Sequence, residues 1–149
     1  MRRWQRMIKE VRFYESAEDA RIRFAVILAQ SHGKWVFCRH RERTTLEIPG
    51  GHREAGETVD EAAARELREE TGAKEFFIRP VCPYSVVRDD VSEESLGMLY
   101  WAEIFSFEEE LHSEIAEIFL LEEPPEGNWT YPEIQPRLME EGRRRMEGR

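Results

Sequence analysis

A threonine at position 58 with a glutamate at 61 opens the most tightly determined stretch of this chain. In a capping box the threonine hydroxyl and a glutamate three residues on satisfy the orphan backbone donors of a helix start, so a helix begins there. Residues 61–70 are almost all strong helix formers, and Gly72 stands where a left-handed C-terminal cap belongs. Within that helix Glu66, Glu69 and Glu70 fall inside an arc of about 100°, because positions three and four apart are neighbours on a helix surface. Like charges so placed destabilise a bare helix by a few tenths of a kcal/mol per pair, and a divalent cation is the obvious compensator. An all-oxygen cluster suits Mg²⁺, Mn²⁺ or Ca²⁺, while the lack of a Cys/His set argues against zinc. For a helix standing alone, a solvated acidic face explains the same residues.

The surroundings read as strands. Residues 21–29 and 34–39, rich in Ile, Phe and Val, form a hairpin across the glycine-containing turn 30–33. Residues 46–48 make a short strand halted by Pro49 and the Gly50-Gly51 pair. Residues 76–87, with Pro80 and Pro83, suit a bent or edge strand; 96–105 and 114–121 are two more. Apolar residues at Ile134, Leu138 and Met139 place a final helix within 133–146, after Pro132. Five or six strands and two helices give an α+β arrangement, a mixed sheet between helices.

With 149 residues the chain supports one core, and neither repeat nor linker divides it, so residues 1–149 are expected to form a single domain. The 22 Lys and Arg against 31 Asp and Glu leave a net charge of −9, which repels duplex nucleic acid. No apolar run approaches the ~20 residues needed to cross a bilayer, and residues 1–15 lack the apolar core of a leader, so a cytoplasmic protein is expected. Cys38 and Cys82 are too few for a disulfide framework, have no companion at zinc-ligand spacing, and read as reduced, half-buried thiols.

The acidic helix does not stand alone. From Gly51, five residues lead to Glu57 and seven more to Arg65, then Glu66-Leu67-Arg68-Glu69-Glu70-Thr71-Gly72-Ala73 follows. Residues 51–73 thus resemble the box of the Nudix hydrolase superfamily: G, five residues, E, seven residues, R-E-aliphatic-x-E-E-x-G-aliphatic. Ala73 is smaller than the family's usual aliphatic, and residues 46–50 look like its lead-in. The resemblance implies a Nudix-type α/β/α sandwich and a Mg²⁺-dependent hydrolase, Mn²⁺ being an alternative ion, in which water cleaves a phosphoanhydride bond of a nucleotide. Metal ions between a glutamate cluster and a polyanionic substrate agree with that chemistry, and no covalent nucleophile is needed.

By position in the box, Glu66 and Glu70 resemble the principal metal ligands, with Glu69 a further ligand or the base that activates water, and the Gly50 carbonyl another ligand. Arg65 is assigned to orienting Glu57, which can also reach metal through water. Glu114 is the candidate acidic ligand from a later loop, with Glu117 behind it, although a solvated loop explains either. Arg39, Arg41 and Arg43 are candidates for the substrate phosphates, a guanidinium fork matching phosphate oxygens better than a lysine. His40 and His52 are possible assistants, and Trp129 and Tyr131 candidates for stacking on a base. The leading expectation is a MutT-like nucleoside triphosphate pyrophosphohydrolase, an oxidised purine nucleotide such as 8-oxo-dGTP among its substrates. The alternatives are hydrolysis of ADP-ribose, a sugar nucleotide or a dinucleoside polyphosphate, and a non-catalytic nucleotide-sensing domain; the last normally lacks a box glutamate, and here every one is present. The chain is read as a monomer or homodimer whose partner is a small nucleotide.

Overall fold

The computed structural model describes residues 8–111 and 114–147, so part of the stretch 1–15 and the two residues before Glu114 lie outside it. Among these residues the order is β1 (Ile8–Phe13), a 3-10 turn (Asp19–Arg21), β2 (Ile22–Ser31), β3 (Lys34–His40), β4 (Gly50–His52), α1 (Val59–Thr71), β5 (Ala73–Arg88), β6 (Ser95–Phe107), β7 (Ile115–Leu121) and α2 (Gln135–Glu147). The strands join in one sheet of order β1-β5-β6-β2-β3-β7, with β4 also on β2. It is mixed: β2 runs parallel to β6, and the other pairs are antiparallel.

The period-2 pattern of β2 explains why helices cover both faces. Ala25, Ile27 and Ala29 pack with Val59, Ala63 and Leu67 of α1, whereas Val26 and Leu28 pack with Leu138 and Met139 of α2. The sheet therefore lies between α1 and α2, the sandwich the sequence led us to expect. α2 approaches so closely at Gly142 that a Cβ there would lie 2.1 Å from Leu28 Cδ1. Among the described residues no helix is long and apolar enough to cross a membrane.

The hairpin turns through His32 (φ 51°) and Gly33 (φ 80°), two successive left-handed residues whose twist suits a two-residue connection. Ladder pairing of β2 with β3 then stops after Gln30–Trp35 and Ser31–Lys34. The segment after β3 enters beside β2: the Ile27 N–H donates to the Pro49 carbonyl at 2.9 Å, and β4 pairs with residues 24–26. This corrects the reading of a strand at 46–48 that the glycine pair ends. Leu46 and Glu47 make only isolated bridges, to Trp129 and Cys38, and the strand is Gly50–His52. The physical reason is space, since a Cβ on Gly50 would stand 2.5 Å from the Ala25 carbonyl oxygen. β1 is an additional strand that the sequence reading does not contain. In β5, Pro80 and Pro83 precede the stretch from Tyr84 onward that pairs with β1, so their missing N–H groups fall where β5 has only β6 as a ladder partner.

Candidate active site

The site begins with the placement of α1. The Thr58 hydroxyl accepts the Glu61 N–H at 3.1 Å, the Glu61 carboxylate accepts the Thr58 N–H at 2.9 Å, and Gly72 closes the other end at φ 75°. With Leu67 anchored in the core, Glu66 and Glu70 are carried toward β4. Glu70 is buried, and its Oε1 accepts the Gly50 N–H at 2.8 Å. Gly51 passes so near Glu66 that a Cβ on it would lie 2.4 Å from the carboxyl carbon. Glu69, one position before Glu70, is half exposed.

Arg65 binds these groups together. Its Nε and Nη2 grip Glu57 at 2.6 and 3.0 Å, Nη2 also donates to the His52 carbonyl at 2.9 Å, and Nη1 reaches Glu66 at 2.8 Å and Glu69 at 3.2 Å. One guanidinium thus fixes three carboxylates and the backbone after Gly51. Arg65 holds the Glu57 carboxyl below its ordinary range. Burial pushes Glu66 up to about 7 despite Arg65, with the Glu70 and Glu69 charges adding to the rise.

The remaining residues arrive from β3 and the loops around it. His40 Nε2 lies 3.0 Å from Glu70 Oε2 and 3.4 Å from Glu47 Oε2, and His40 Nδ1 lies 3.6 Å from the exposed carboxylate of Glu114. Glu54, Arg65, Glu66, Glu69, Glu70, Glu114 and Ile115 line one cleft of about 210 Å³. Arg39 donates to the Arg43 carbonyl at 3.0 Å and stands 3.5 Å from Glu117, which the structure places outside the cleft lining. Arg43 pairs with Glu47 at 2.7 Å and lies over the Tyr131 ring, and Arg41 is exposed. Glu47 and Glu54 are absent from the sequence-derived candidates. Glu47 carries a signal that was available, a carboxylate inside the apolar stretch Leu46-Glu47-Ile48-Pro49; the structure buries it to 5% exposure and burial raises its pKa.

On the other side of β4 is a cavity of about 420 Å³ lined by Gly50 and Gly51, the rings of Phe24, His52, Tyr84 and Tyr131, and the polar groups of Glu47, Arg88 and Gln135 among others. Trp129 does not line it: its ring meets Phe37 edge-on at 5.4 Å and its Nε1 donates to the Pro125 carbonyl. Tyr131 does line it, and His52 stands edge-on to Phe24.

This donor set fits a hard divalent cation. The small cleft offers five carboxylates against one guanidinium, and desolvation with the neighbouring Glu70 and Glu69 charges pushes the Glu66 carboxyl up to about 7, so the site is short of positive charge. The glycine at 51 keeps open the space into which a Cβ would project against the Glu66 carboxyl.

Comparison with known proteins accords with this arrangement. The Bacillus subtilis protein YtkD, named as a candidate 8-oxo-dGTP diphosphatase, is 32% identical over 84 residues, which is 56% of this chain; the match spans about half, 51%, of that relative's length. The crystal structure of the Bacillus subtilis pyrophosphohydrolase BsRppH superposes with a TM-score of 0.80 at 21% identity over 95% of this chain and 96% of the other. A UDP-X diphosphatase structure gives 0.70 at 18% identity over 89% of this chain and 66% of its own. At these identities the two structures show a shared fold. The NUDIX domain family model matches residues 19–140, and on that match the chain belongs to the Nudix hydrolase family.

Proposed function

We propose that the chain is a Mg²⁺-dependent pyrophosphohydrolase that cleaves a phosphoanhydride bond of a nucleoside triphosphate, releasing the nucleoside monophosphate and pyrophosphate, with 8-oxo-dGTP among its substrates. One observation carries this reading: the carboxylate cleft and the aromatic-lined cavity lie on two sides of the same three-residue strand, since Gly50 donates to Glu70 and also lines the cavity with Gly51. A base in the cavity lets its phosphates run past the two glycines to the carboxylates. The names of YtkD and BsRppH support the same chemistry.

Glu66 and Glu70 are the proposed metal ligands, with Glu69, Glu114 and the Gly50 carbonyl completing the set. Bound Mg²⁺ supplies neutralisation of the phosphate charge and acidifies a water. Arg65 holds Glu57 and Glu66 in place, and Glu69, half exposed, is the proposed carboxylate that takes a proton from water. Arg39, Arg41 and Arg43 remain the phosphate-binding candidates; Arg43 must first loosen from Glu47. Tyr131, which lines the cavity, is the proposed stacking partner of the base, and the cytoplasm is the proposed setting in which such a substrate is met.

The test is a Mg²⁺-containing panel of nucleoside triphosphates including 8-oxo-dGTP, with ADP-ribose, a uridine sugar nucleotide and a dinucleoside polyphosphate, scored for pyrophosphate, phosphate and monophosphate. The expected result is pyrophosphate from the triphosphates at the highest kcat/KM. Turnover confined to ADP-ribose or the sugar nucleotide would replace this reading with hydrolysis of another nucleoside diphosphate derivative. No turnover of any member would leave a nucleotide-binding domain.

A further inference from the structure

Cys38 and His40 stand two apart on β3, and side chains two apart on a strand share a face. Val36 of the same series packs into the core cluster that α1 covers, so Cys38 and His40 face the helix that carries Glu70. Cys38 Sγ, His40 Nε2 and a Glu70 carboxylate oxygen lie within 4.8 Å of one another. Cys38 is fully buried, with Sγ 3.6 Å from the Glu47 carbonyl. His40 Nε2 is buried and faces two carboxylates, 3.0 Å from Glu70 Oε2 and 3.4 Å from Glu47 Oε2. A buried thiol, an imidazole nitrogen and a carboxylate that converge this closely make a ready set of metal donors.

The donor types say which ligand. Mg²⁺ takes oxygen, whereas a thiolate with an imidazole suits a thiophilic or borderline cation such as Zn²⁺. We propose that Cys38, His40 and Glu70 form a second metal site for such a cation, and that its occupancy withdraws Glu70 from the Mg²⁺ set and inhibits the enzyme. The inhibitory half rests on the function proposed above; the binding half stands without it. On binding, the Cys38 S–H bond breaks, its proton passes to solvent and a metal–sulfur bond forms, with no change of oxidation state. Bonds of about 2.0–2.3 Å require the three donors to draw together by roughly 1 Å, with Glu47 or water as the fourth ligand. Searching the sequence for zinc-finger spacings passes over this set, because two of its members are strand neighbours at i and i+2 and the third comes from a helix.

Chelator-stripped full-length protein is titrated with Co²⁺ in the absence of Mg²⁺, followed by Zn²⁺. The expected result is a thiolate-to-cobalt charge-transfer band saturating at one equivalent and abolished by Zn²⁺. Cys38→Ser loses the band and Cys82→Ser keeps it. Zinc-edge X-ray absorption of the wild-type protein, which needs no variant to fold, shows one Zn–S distance at about 2.3 Å. A spectrum without the band, a band that survives Cys38→Ser, or a zinc shell of light atoms only overturns the site. Inhibition is read as each protein's rate with micromolar Zn²⁺ relative to its own rate with Mg²⁺ alone, and His40→Gln raises the Zn²⁺ needed by about tenfold. Equal Zn²⁺ sensitivity in wild type and His40→Gln overturns the inhibitory coupling. A protein that hydrolyses no nucleotide yet shows the cobalt band refutes the catalytic reading and retains the site.

Discussion

Glu66 and Glu70 are one helical turn apart, yet different partners hold them: Arg65 and the approach of Gly51 confine the first, the Gly50 N–H and His40 the second. Glu66 has a consequence for pH. Its carboxyl rises from 4.5 to about 7 through burial, so the metal-free folded state keeps a proton that the unfolded chain gives up sooner. That contribution to stability is complete below about pH 4.5 and is lost as the pH rises through about 7. Thermal denaturation of metal-free protein is expected to show a midpoint that falls over this window, and saturating Mg²⁺ is expected to remove the fall; a flat metal-free profile contradicts the burial of Glu66. Glu57 acts in the opposite sense, since Arg65 lowers its pKa: its contribution is present above 4.5 and disappears as the pH drops through the lowered value. Arg65→Lys keeps the charge and loses the two-point grip on Glu57, so kcat is expected to drop roughly 10–100-fold with the fold unchanged by circular dichroism.

At the scale of elements, α1 is fixed at both ends by chemistry written locally. Thr58→Ala removes one half of the capping box and is expected to cost about 1 kcal/mol in urea denaturation. α2 is seated by Leu138 and Met139 and by the close approach of Gly142 to Leu28, which no local signal announces. Gly142→Ala places a Cβ against Leu28 Cδ1 and 3.3 Å from Leu99 Cδ2, so a loss of about 1–3 kcal/mol is expected in the same measurement, reduced when Leu28→Val takes the clashing branch away. This contrast tracks what could be read beforehand. The hairpin of β2 and β3, the helix from 59 to 71 and the strands β5 to β7 were legible because periodicity, caps and turn glycines lie within a few residues of one another. The displacement from residues 46–48 to Gly50–His52 was not, because it turns on the room that β2 leaves for a backbone without side chains.

For the whole molecule, the sheet makes neighbours of groups remote in sequence. His40 on β3, Glu70 at the end of α1 and Glu114 before β7 meet because β3 pairs with β7 while α1 lies across the same face. The spacing of the box made the helical glutamates and Arg65 legible as candidates, but convergence of residues on separate elements is a property of strand order. Trp129 illustrates the converse: its aromatic character suggested a base platform, and the fold sets it edge-on against Phe37, outside the lining of the aromatic cavity beside the two glycines. The net charge of −9 adds a reason for the cleft to gather cations.

The most direct measurement follows pyrophosphate release from a nucleoside triphosphate by wild-type protein and by Glu70→Gln, each assayed with Mg²⁺, after exhaustive chelation and after Mg²⁺ is restored. The expected result is a wild-type rate abolished by chelation and recovered on adding Mg²⁺, and a kcat lowered by roughly 10²–10³ or more in Glu70→Gln, whose ties to Gly50 and His40 involve the same carboxylate. Hydrolysis that continues without divalent metal, or a Glu70→Gln protein as fast as wild type, would contradict a reaction built on these carboxylates.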